Sequence, residues 1–578
     1  MFPTKQLRFQ SASAFARIAG ELYRRSGAGR TEAGCFLLGQ IRGESRTADD
    51  VVFFDEIDPD AYRHGSISLN TAKLSALYDR CEERGLAITG DIHTHPCLAF
   101  QSWTDKSHPV VSVAGHVAIV LPYDGRYRIS SQIGAYILKE DGSWDMVRPS
   151  TLENFLGIDS VASSVEDFDR MELMLLNQDI VQAKRHELLA SLAVEITISK
   201  SDCQIASGQA ALLTAVALCA RFARAGVVVR LPRDAPLAVD SRRCLSSELA
   251  RLGAVDGAKV APSATLAIGN AKASQSAFEV RIVSENGRYG CLPAQQGGYL
   301  ADDYVPGVLI GTALAVGEVF RTFMMQKTEL APRSREVALW TDTERAQVPA
   351  SFRGLVKSAW LAGFGHLGNA YAWAMAFTPR LRPALFVQDS GIVDFANAST
   401  QLFIAPADIG RRKTEVARNE LEAFGFHIVT DDRALDASYP MHKKSETMLV
   451  GFDNVPSRRA LAHTRVPLII DAGLGNLAST FSTFAIHTFT EPALALELFP
   501  DYGYVSNAQQ LIETGAYREL APTEEARCGM IAVADATVAV PFVGMVVAGL
   551  VITQLIRKAL DMPARPLIAG DVLSDPIV

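Results

Sequence analysis

The chain has 578 residues, 48% hydrophobic and 21% charged, with 56 Lys and Arg against 64 Asp and Glu for a net charge of -8. That length exceeds one hydrophobic core and predicts roughly one domain per 100–200 residues, about three in all. The composition excludes disordered and collagen-like classes. The acidic balance, without a Lys/Arg block, argues against a nucleic-acid partner, whose phosphates call for a concentrated basic face.

The eight cysteines (Cys35, Cys81, Cys97, Cys203, Cys219, Cys244, Cys291, Cys528) include no C-x-x-C pair. This fits reduced thiols in the cytoplasm and argues against a cysteine-built zinc site. The opening Met1-Phe2-Pro3-Thr4-Lys5-Gln6 has no hydrophobic signal core.

In chain order, 7–145 reads as mixed α and β: a helix at 12–25, a buried strand at 35–38, a helix at 70–84, and strands at 86–93 and 117–121. The first domain is placed at 1–150. The second strand ends in His93-Thr94-His95-Pro96, so its two histidines project from one face of the sheet and can share a metal. Asp105, in Ser102-Trp103-Thr104-Asp105, adds an oxygen ligand. Two nitrogens and one oxygen leave a catalytic zinc an open position for water, whose proton needs a carboxylate acceptor. Glu32, ahead of the strand Gly34-Cys35-Phe36-Leu37-Leu38-Gly39, is the candidate. Taken alone, H-x-H is more readily a hydrogen-bonded histidine pair at a strand end than a metal site.

A glutamate before a glycine-containing apolar strand, then H-x-H-P, then S-x-x-D, resembles the JAB/JAMM metallopeptidases. The resemblance implies a JAB/MPN mixed α+β domain with zinc on His93, His95 and Asp105, Glu32 as general base, and Ser102 helping to stabilise the oxyanion. The spacer between Pro96 and Ser102 is shorter than in many relatives and keeps every ligand.

A helical stretch at 165–192 leads into a region placed at 165–330. Strands at 195–198 and 227–231 around a helix at 209–225 give the βαβ rhythm of a parallel sheet. No G-x-G-x-x-G loop occurs there, so no nucleotide chemistry is assigned to it and the region reads as a degenerate α/β unit. The polar stretch 331–353 reads as a linker. Two proline-led apolar segments, 306–321 and 541–557, echo one another: they close two related units, or they are simply two buried helices of similar composition. The uncharged run 536–556 could span a membrane by length. It contains Pro541, Gly544, Gly549, Thr553 and Gln554 and reads instead as a buried core helix, with no membrane partner.

The last domain is placed at 354–578. A strand at 358–362 runs into Gly363-Phe364-Gly365-His366-Leu367-Gly368 and a helix at 369–377. These glycines allow a tight turn and close approach of phosphates to backbone N–H groups. A second strand ends in Asp389, where a ribose-binding acid belongs. This pattern alone fits NAD, FAD or ATP equally.

Downstream, Asp389, Asn397, Gln401 and Lys413, with Asp408-Ile409-Gly410 before the lysine, resemble in order and spacing the ThiF-type adenylating enzymes, which include the ubiquitin-activating enzymes. Gly451-Phe452-Asp453-Asn454 followed by Arg458 and Arg459 is similar to the same family. The resemblance implies a Rossmann-like domain using ATP and Mg2+, with Lys413 neutralising phosphates, Asp453 holding magnesium and Asp389 gripping the ribose. Thr400 stands where the family has an arginine, and Gly391 where it has a second acid. Phosphate contacts are then expected from Arg411, Arg412 or another subunit.

Together the two resemblances imply an enzyme of a bacterial ubiquitin-like modifier pathway. It would adenylate the modifier's C-terminal glycine, pass it to a cysteine, and hydrolyse modifier linkages. Expected partners are the modifier, a conjugating enzyme and a second copy of the chain. Cys528, in Ala526-Arg527-Cys528-Gly529, is the only cysteine after 353 and the expected nucleophile, with Cys291 second. Two alternatives stay open: activation of a sulfur carrier for biosynthesis, and a non-catalytic scaffold that binds the modifier.

Overall fold

The computed structural model describes all residues except 1–3, 64–66, 103–104, 107–110, 129, 149–150, 159–169, 233, 241, 259, 273–275, 326–330, 437, 440–444, 476, 501–506, 525–526, 528–529, 576 and 578. The chain divides into two compact units: 1–168 together with 405–410, and 169–404 together with 411–578.

The first unit is built from β1 (Gln6–Phe9), α1 (Ala12–Arg25), β2 (Gly34–Gly39), β3 (Ile41–Arg42), β4 (Ser45–Ala48), β5 (Asp50–Phe53), α2 (Ser75–Arg84), β6 (Ala87–Thr94), β7 (Val117–Leu121), β8 (Gly134–Leu138) and β9 (Trp144–Met146). Ser11 caps α1 by accepting from Ala14 N, and Phe15, Ala16, Ala19 and Leu22 form its buried face. The main sheet has the order β5-β2-β6-β7-β8-β9, and only β6 and β7 pair in parallel. Every residue of β2 is buried, as its continuous apolar run requires. Antiparallel pairing of β2 with β6 sets Gly34 opposite His93. This register brings the segment before β2 to the histidine end of β6.

The second unit begins with α3 (Arg170–Asn177) and α4 (Gln182–Ser191). It continues with β10 (Ala193–Ile198), α5 (Ala206–Cys219), β11 (Gly226–Arg230), α6 (Leu245–Leu252), β12 (Ala254–Val255), β13 (Ala264–Ile268), β14 (Phe278–Glu285), β15 (Arg288–Pro293), α7 (Val305–Phe323) and β16 (Arg335–Ala338). Then follow β17 (Ser358–Ala362), α8 (His366–Phe377), β18 (Ala384–Gln388), α9 (Lys413–Ala423), β19 (Ile428–Asp431), β20 (Thr447–Val450), α10 (Val455–Ala460), β21 (Leu468–Leu474), β22 (Thr483–Phe489), α11 (Pro541–Ala559) and β23 (Leu567–Asp571).

Two seven-stranded sheets result, ordered β12-β11-β10-β13-β14-β15-β16 and β19-β18-β17-β20-β21-β22-β23. In each, five strands run parallel and the last two pairings are antiparallel. The two halves therefore share one topology, and the echoing helices α7 and α11 take equivalent places, each ahead of its half's last strand. Both are long and apolar enough to cross a membrane by length and composition, yet 100% and 83% of their apolar windows are buried inside the protein.

The linker expectation for 331–353 is corrected. Residues 335–338 form the edge strand β16, with Arg335 opposite Cys291. The polar look of this stretch misleads because Arg335 is buried in ion pairs, 3.2 Å from Glu318 and 2.7 Å from Asp575. Trp340 and Phe352 are buried as well.

A Cβ at Gly549 of α11 would lie 2.4 Å from Ile310 Cγ1 and 2.7 Å from the Pro306 carbonyl oxygen of α7. Gly549→Val is therefore expected to lower stability by about 1–3 kcal/mol through overpacking, seen as a lower urea midpoint. An unchanged midpoint would show that this helix contact is not close-packed.

Candidate metal centre and nucleotide site

In the first unit, β6 carries His93, and His95 follows one residue past its end. Their rings lie 5.1 Å apart, and both are buried. Asp105 Oδ2 sits 3.8 Å from His93 Nε2 and 3.4 Å from His95 Nε2. One ligand atom from each residue falls within 4.8 Å of the others. Ser102 shapes the loop: its N–H donates to Asp105 Oδ2 (2.6 Å), and its Oγ accepts from Asp105 N (3.2 Å). His93 Nε2 is buried without a hydrogen-bond partner among the described residues, an orphaned donor atom that a metal ion would satisfy.

Thr94 N donates to Ala33 O and Ala33 N to Thr94 Oγ1, extending the β2–β6 pairing to Glu32. Burial pushes the Glu32 carboxyl up, against the opposing pull of His95 and His93. Burial works against charging His93, yet the carboxylates of Asp105 and Asp91 outweigh it and raise the imidazole to about 9. The histidines hold Asp105 far below the usual carboxylate range despite its burial.

Two neighbours escaped the sequence reading. Asp91, two residues before His93, bonds His93 Nδ1 at 3.3 Å and His116 Nε2 at 2.6 Å. Its place on the same face of β6 was the available signal. Asp124, whose carboxyl burial pushes up to about 6 with a smaller contribution from Glu32, lies far from the motif in sequence and gave none. A carboxylate behind a ligating histidine fixes its ring and tautomer. Asp91→Asn is therefore expected to weaken metal binding about 10–100-fold, measured by chelator competition; unchanged affinity would refute this positioning role.

In the second unit, the glycine turn joins β17 to α8. Gly363 adopts φ 89°, and a Cβ at Gly368 would fall 1.9 Å from Gly363 O, so both positions require glycine. A Cβ at Gly365 would meet nothing within 4 Å, which leaves open space over the turn. Phe364 N and Gly391 N donate to Asp389 Oδ2 and Oδ1, at 2.6 and 2.7 Å. A Cβ at Gly391 would lie 2.8 Å from Asp389 Oδ1 and 3.3 Å from Lys413 Nζ, so this glycine makes room where the lysine and the aspartate converge.

Asp453, just past β20, is exposed and accepts from Asn454 Nδ2. Arg458 ties the same loop by donating to Phe452 O (2.8 Å) and Ala472 O (3.0 Å). Gln401 is buried, and its Oε1 has no partner among the described residues. Asn397, expected to bind cofactor, accepts from Asp394 N through Oδ1 and closes a capping box on a short helix.

Arg411 and Arg412, expected to meet phosphates, both have partners within the protein. Arg411 pairs with Glu415 at 2.8 Å, and Arg412 donates to Ser390 O. Arg170 of α3 donates through Nη1 to Thr537 O; burial lowers its pKa, and the charges of Asp394 and Asp453 oppose that. It lies far from the glycine turn in sequence, and no motif marked it.

In the middle half, an aspartate stands where the glycine turn would be. Asp202 Oδ2 accepts from Ser199 Oγ (2.7 Å) and from Asn270 N (3.3 Å). A carboxylate thus occupies a backbone donor at the strand ends.

Cys528, with its neighbours Ala526 and Gly529, lies outside the described residues. Arg527 pairs with Glu513 at 3.4 Å. Cys291 is corrected as a nucleophile: it is fully buried in β15, and burial pushes its thiol well up.

A sheet-borne His–His–Asp centre in one unit, and a glycine turn at a sheet switch point in another, define a two-unit α/β protein with a candidate metal site and a candidate nucleotide site. Residues 193–340 match the BilD N-terminal domain and 355–562 the BilD C-terminal domain; the chain belongs to the BilD family of E1-like proteins. A protein described as bacterial E1-like protein BilD, from Collimonas sp. (strain OK412), is 29% identical over 412 residues, covering 68% of this chain and 89% of that protein. The N-terminal region is similar to a probable metalloprotease, y4jG, of Sinorhizobium fredii (strain NBRC 101917 / NGR234), at 30% identity over 79 residues, 14% of this chain and 49% of that protein. Crystal structures of E. coli MccB, with succinimide and alone, align with 38% and 41% of this chain and 62% and 64% of MccB. Their identities are 15% and 14% and their TM-scores 0.26 and 0.27, too low to support any statement about this chain.

Proposed function

We propose that the second unit adenylates the C-terminal glycine of a ubiquitin-like modifier, and that the first unit hydrolyses modifier linkages with zinc. The adenylation reading is carried by the convergence of Lys413 and Asp389 at Gly391, beside the glycine turn, in a chain of the BilD family.

In the second unit, Gly363, Gly365 and Gly368 leave the backbone open to phosphates, Lys413 and Arg170 neutralise them, Asp389 holds the ribose and Asp453 the magnesium. Gln401 offers its buried amide to the same ligand. A modifier carboxylate oxygen attacks the α-phosphorus and pyrophosphate leaves; the Cys528 thiolate then attacks the acyl carbon and AMP leaves. In the first unit, two imidazole nitrogens and one carboxylate oxygen match the ligand set of a catalytic zinc. When bound, that ion supplies Lewis-acid polarisation of the scissile carbonyl and of water. Glu32 takes up a proton and returns it to the leaving amine, while the Ser102 hydroxyl donates to the developing oxyanion.

The test is ATP–pyrophosphate exchange by the full chain with magnesium and a ubiquitin-like protein ending in glycine. Exchange is expected only with all three present. Cys528→Ala is expected to keep exchange and to lose a modifier conjugate that thiol reductant cleaves. Absence of exchange across candidate modifiers would sink the adenylation reading. Exchange with no conjugate in the wild type would favour the sulfur-carrier pathway.

A further inference from the structure

The middle half of the chain repeats the sheet of the last half, so strand ends can be compared position by position. β10 lies between β11 and β13, as β17 lies between β18 and β20. In open α/β sheets a ligand crevice forms outside the strand ends where the strand order reverses in this way. Ile198 ends β10 beside Ile268 of β13, and Ala362 ends β17 beside Val450 of β20. Ala271, three residues past Ile268, therefore takes the place that Asp453 takes in the last half. On the other flank Thr197 pairs with Arg230, which brings Ile198 level with Leu231, while Ala362 pairs with Gln388. Pro232 therefore takes the place of Asp389.

A cavity of about 580 Å³ opens at these strand ends, within the size range of small-molecule sites. Lys200, Arg230 and Lys272 line it together with Pro232 and Ala271, and no carboxylate does. All three cations are exposed. Buried Glu195 of β10 accepts from Arg230 Nε at 2.7 Å and fixes where that guanidinium stands. Lys200 and Lys272 make no ion pair among the described residues. Asp202, the acid beside the crevice, already accepts from Ser199 Oγ and Asn270 N. The two positions that carry acids in the last half are thus neutral here, and three positive groups surround the space instead. A cleft lined by one sign of charge concentrates ions of the other sign.

We propose that this cavity is a second ligand site of the chain, one that binds the clustered phosphates of a small phosphorylated molecule without a metal ion. Lys200, Lys272 and Arg230 supply the positive charge, and the lining offers no carboxylate to hold a hard cation such as magnesium. The site goes beyond the adenylation reading and does not depend on it: that reading stands or falls by pyrophosphate exchange, and this one by metal-free binding.

The experiment is calorimetric titration of the full chain with inorganic triphosphate in magnesium-free buffer. Wild type is expected to bind, and added magnesium, which competes for the phosphate charge, is expected to weaken binding at this site. Lys200→Ala together with Lys272→Ala is expected to weaken binding about 10-fold or more, the size of lost hydrogen bonds between charged groups. The melting temperature should hold, because both side chains are exposed and unpaired. Lys200→Arg together with Lys272→Arg keeps both charges and is expected to bind within about 3-fold of wild type. Wild type that binds no triphosphate, or that binds a pentaglutamate peptide more tightly, overturns the proposal. An unchanged affinity in the alanine pair overturns it, and so does equal loss in the arginine pair, which would assign both lysines to packing. Binding that survives the alanine pair and disappears in Lys413→Ala places the probe at the glycine turn of the last half and overturns it too.

Discussion

Glu32→Gln is expected to keep one metal ion per chain and to slow hydrolysis of a modifier fusion by about 10²–10⁴-fold, the usual contribution of a positioned general base. The reasoning starts from backbone register. Pairing of Gly34 with His93 and the bonds between Ala33 and Thr94 hold Glu32 beside the metal cluster, which groups His93, His95 and Asp105 without it. Burial raises the Glu32 carboxyl, which suits a group that accepts a proton near neutral pH and gives it back. Glutamine keeps shape and volume and loses the proton acceptor, so structure and metal content should persist. Elemental analysis and cleavage of the fusion check the two halves of the statement separately. Cleavage at the wild-type rate would falsify the assignment and turn attention to Asp124, the neighbouring carboxylate that burial pushes up to about 6.

What the sequence revealed, and what it hid, follows from the range of the interactions involved. The grouping of His93, His95 and Asp105 was legible because a strand end and one short loop hold all three, and the extended backbone there puts His93 and His95 on one side. The glycine turn was legible because steric demand at Gly363 and Gly368 leaves no other residue possible there. Arg170 was not legible: it and Asp453 are nearly three hundred residues apart in sequence, and local spacing carries no trace of the influence of one charge on the other. Arg335 misled for the complementary reason. A charged residue in a polar stretch reads as solvated linker, yet Glu318 on α7 and Asp575 near the C-terminus neutralise it inside the protein. The duplicated sheet order was foreshadowed by the βαβ rhythm of the middle region and by the proline-led helices, while little else is shared in sequence because two sheets can share a topology on buried apolar character alone.

Lys413→Ala and Asp453→Ala are each expected to reduce ATP–pyrophosphate exchange by about 100-fold or more, the range seen when one preorganised charge-stabilising group is removed. Lys413 opens α9 with its N–H bonded to Gly391 O, so the backbone itself fixes where the ammonium group starts. A Cβ at residue 391 would lie 3.3 Å from the lysine Nζ and 2.8 Å from Asp389 Oδ1, so glycine there leaves the two groups room to converge. Alanine removes that charge and leaves the helix intact, because residue 413 contributes no side-chain cap. Asp453 is exposed at the strand end, and Arg458 holds the preceding carbonyl, so removing its carboxylate should not loosen the loop. The two variants should differ in one respect: raising magnesium should partly restore Asp453→Ala, whose deficit is metal affinity, and should not restore Lys413→Ala, whose deficit is a fixed positive charge. Metal content of the first unit serves as the control for intact protein. If Lys413→Ala exchanges like wild type, the phosphate charge is carried by Arg170 and the role given to Lys413 is wrong. If neither variant loses exchange and NAD binds tightly, the glycine turn serves a dinucleotide, and the adenylation reading fails with it.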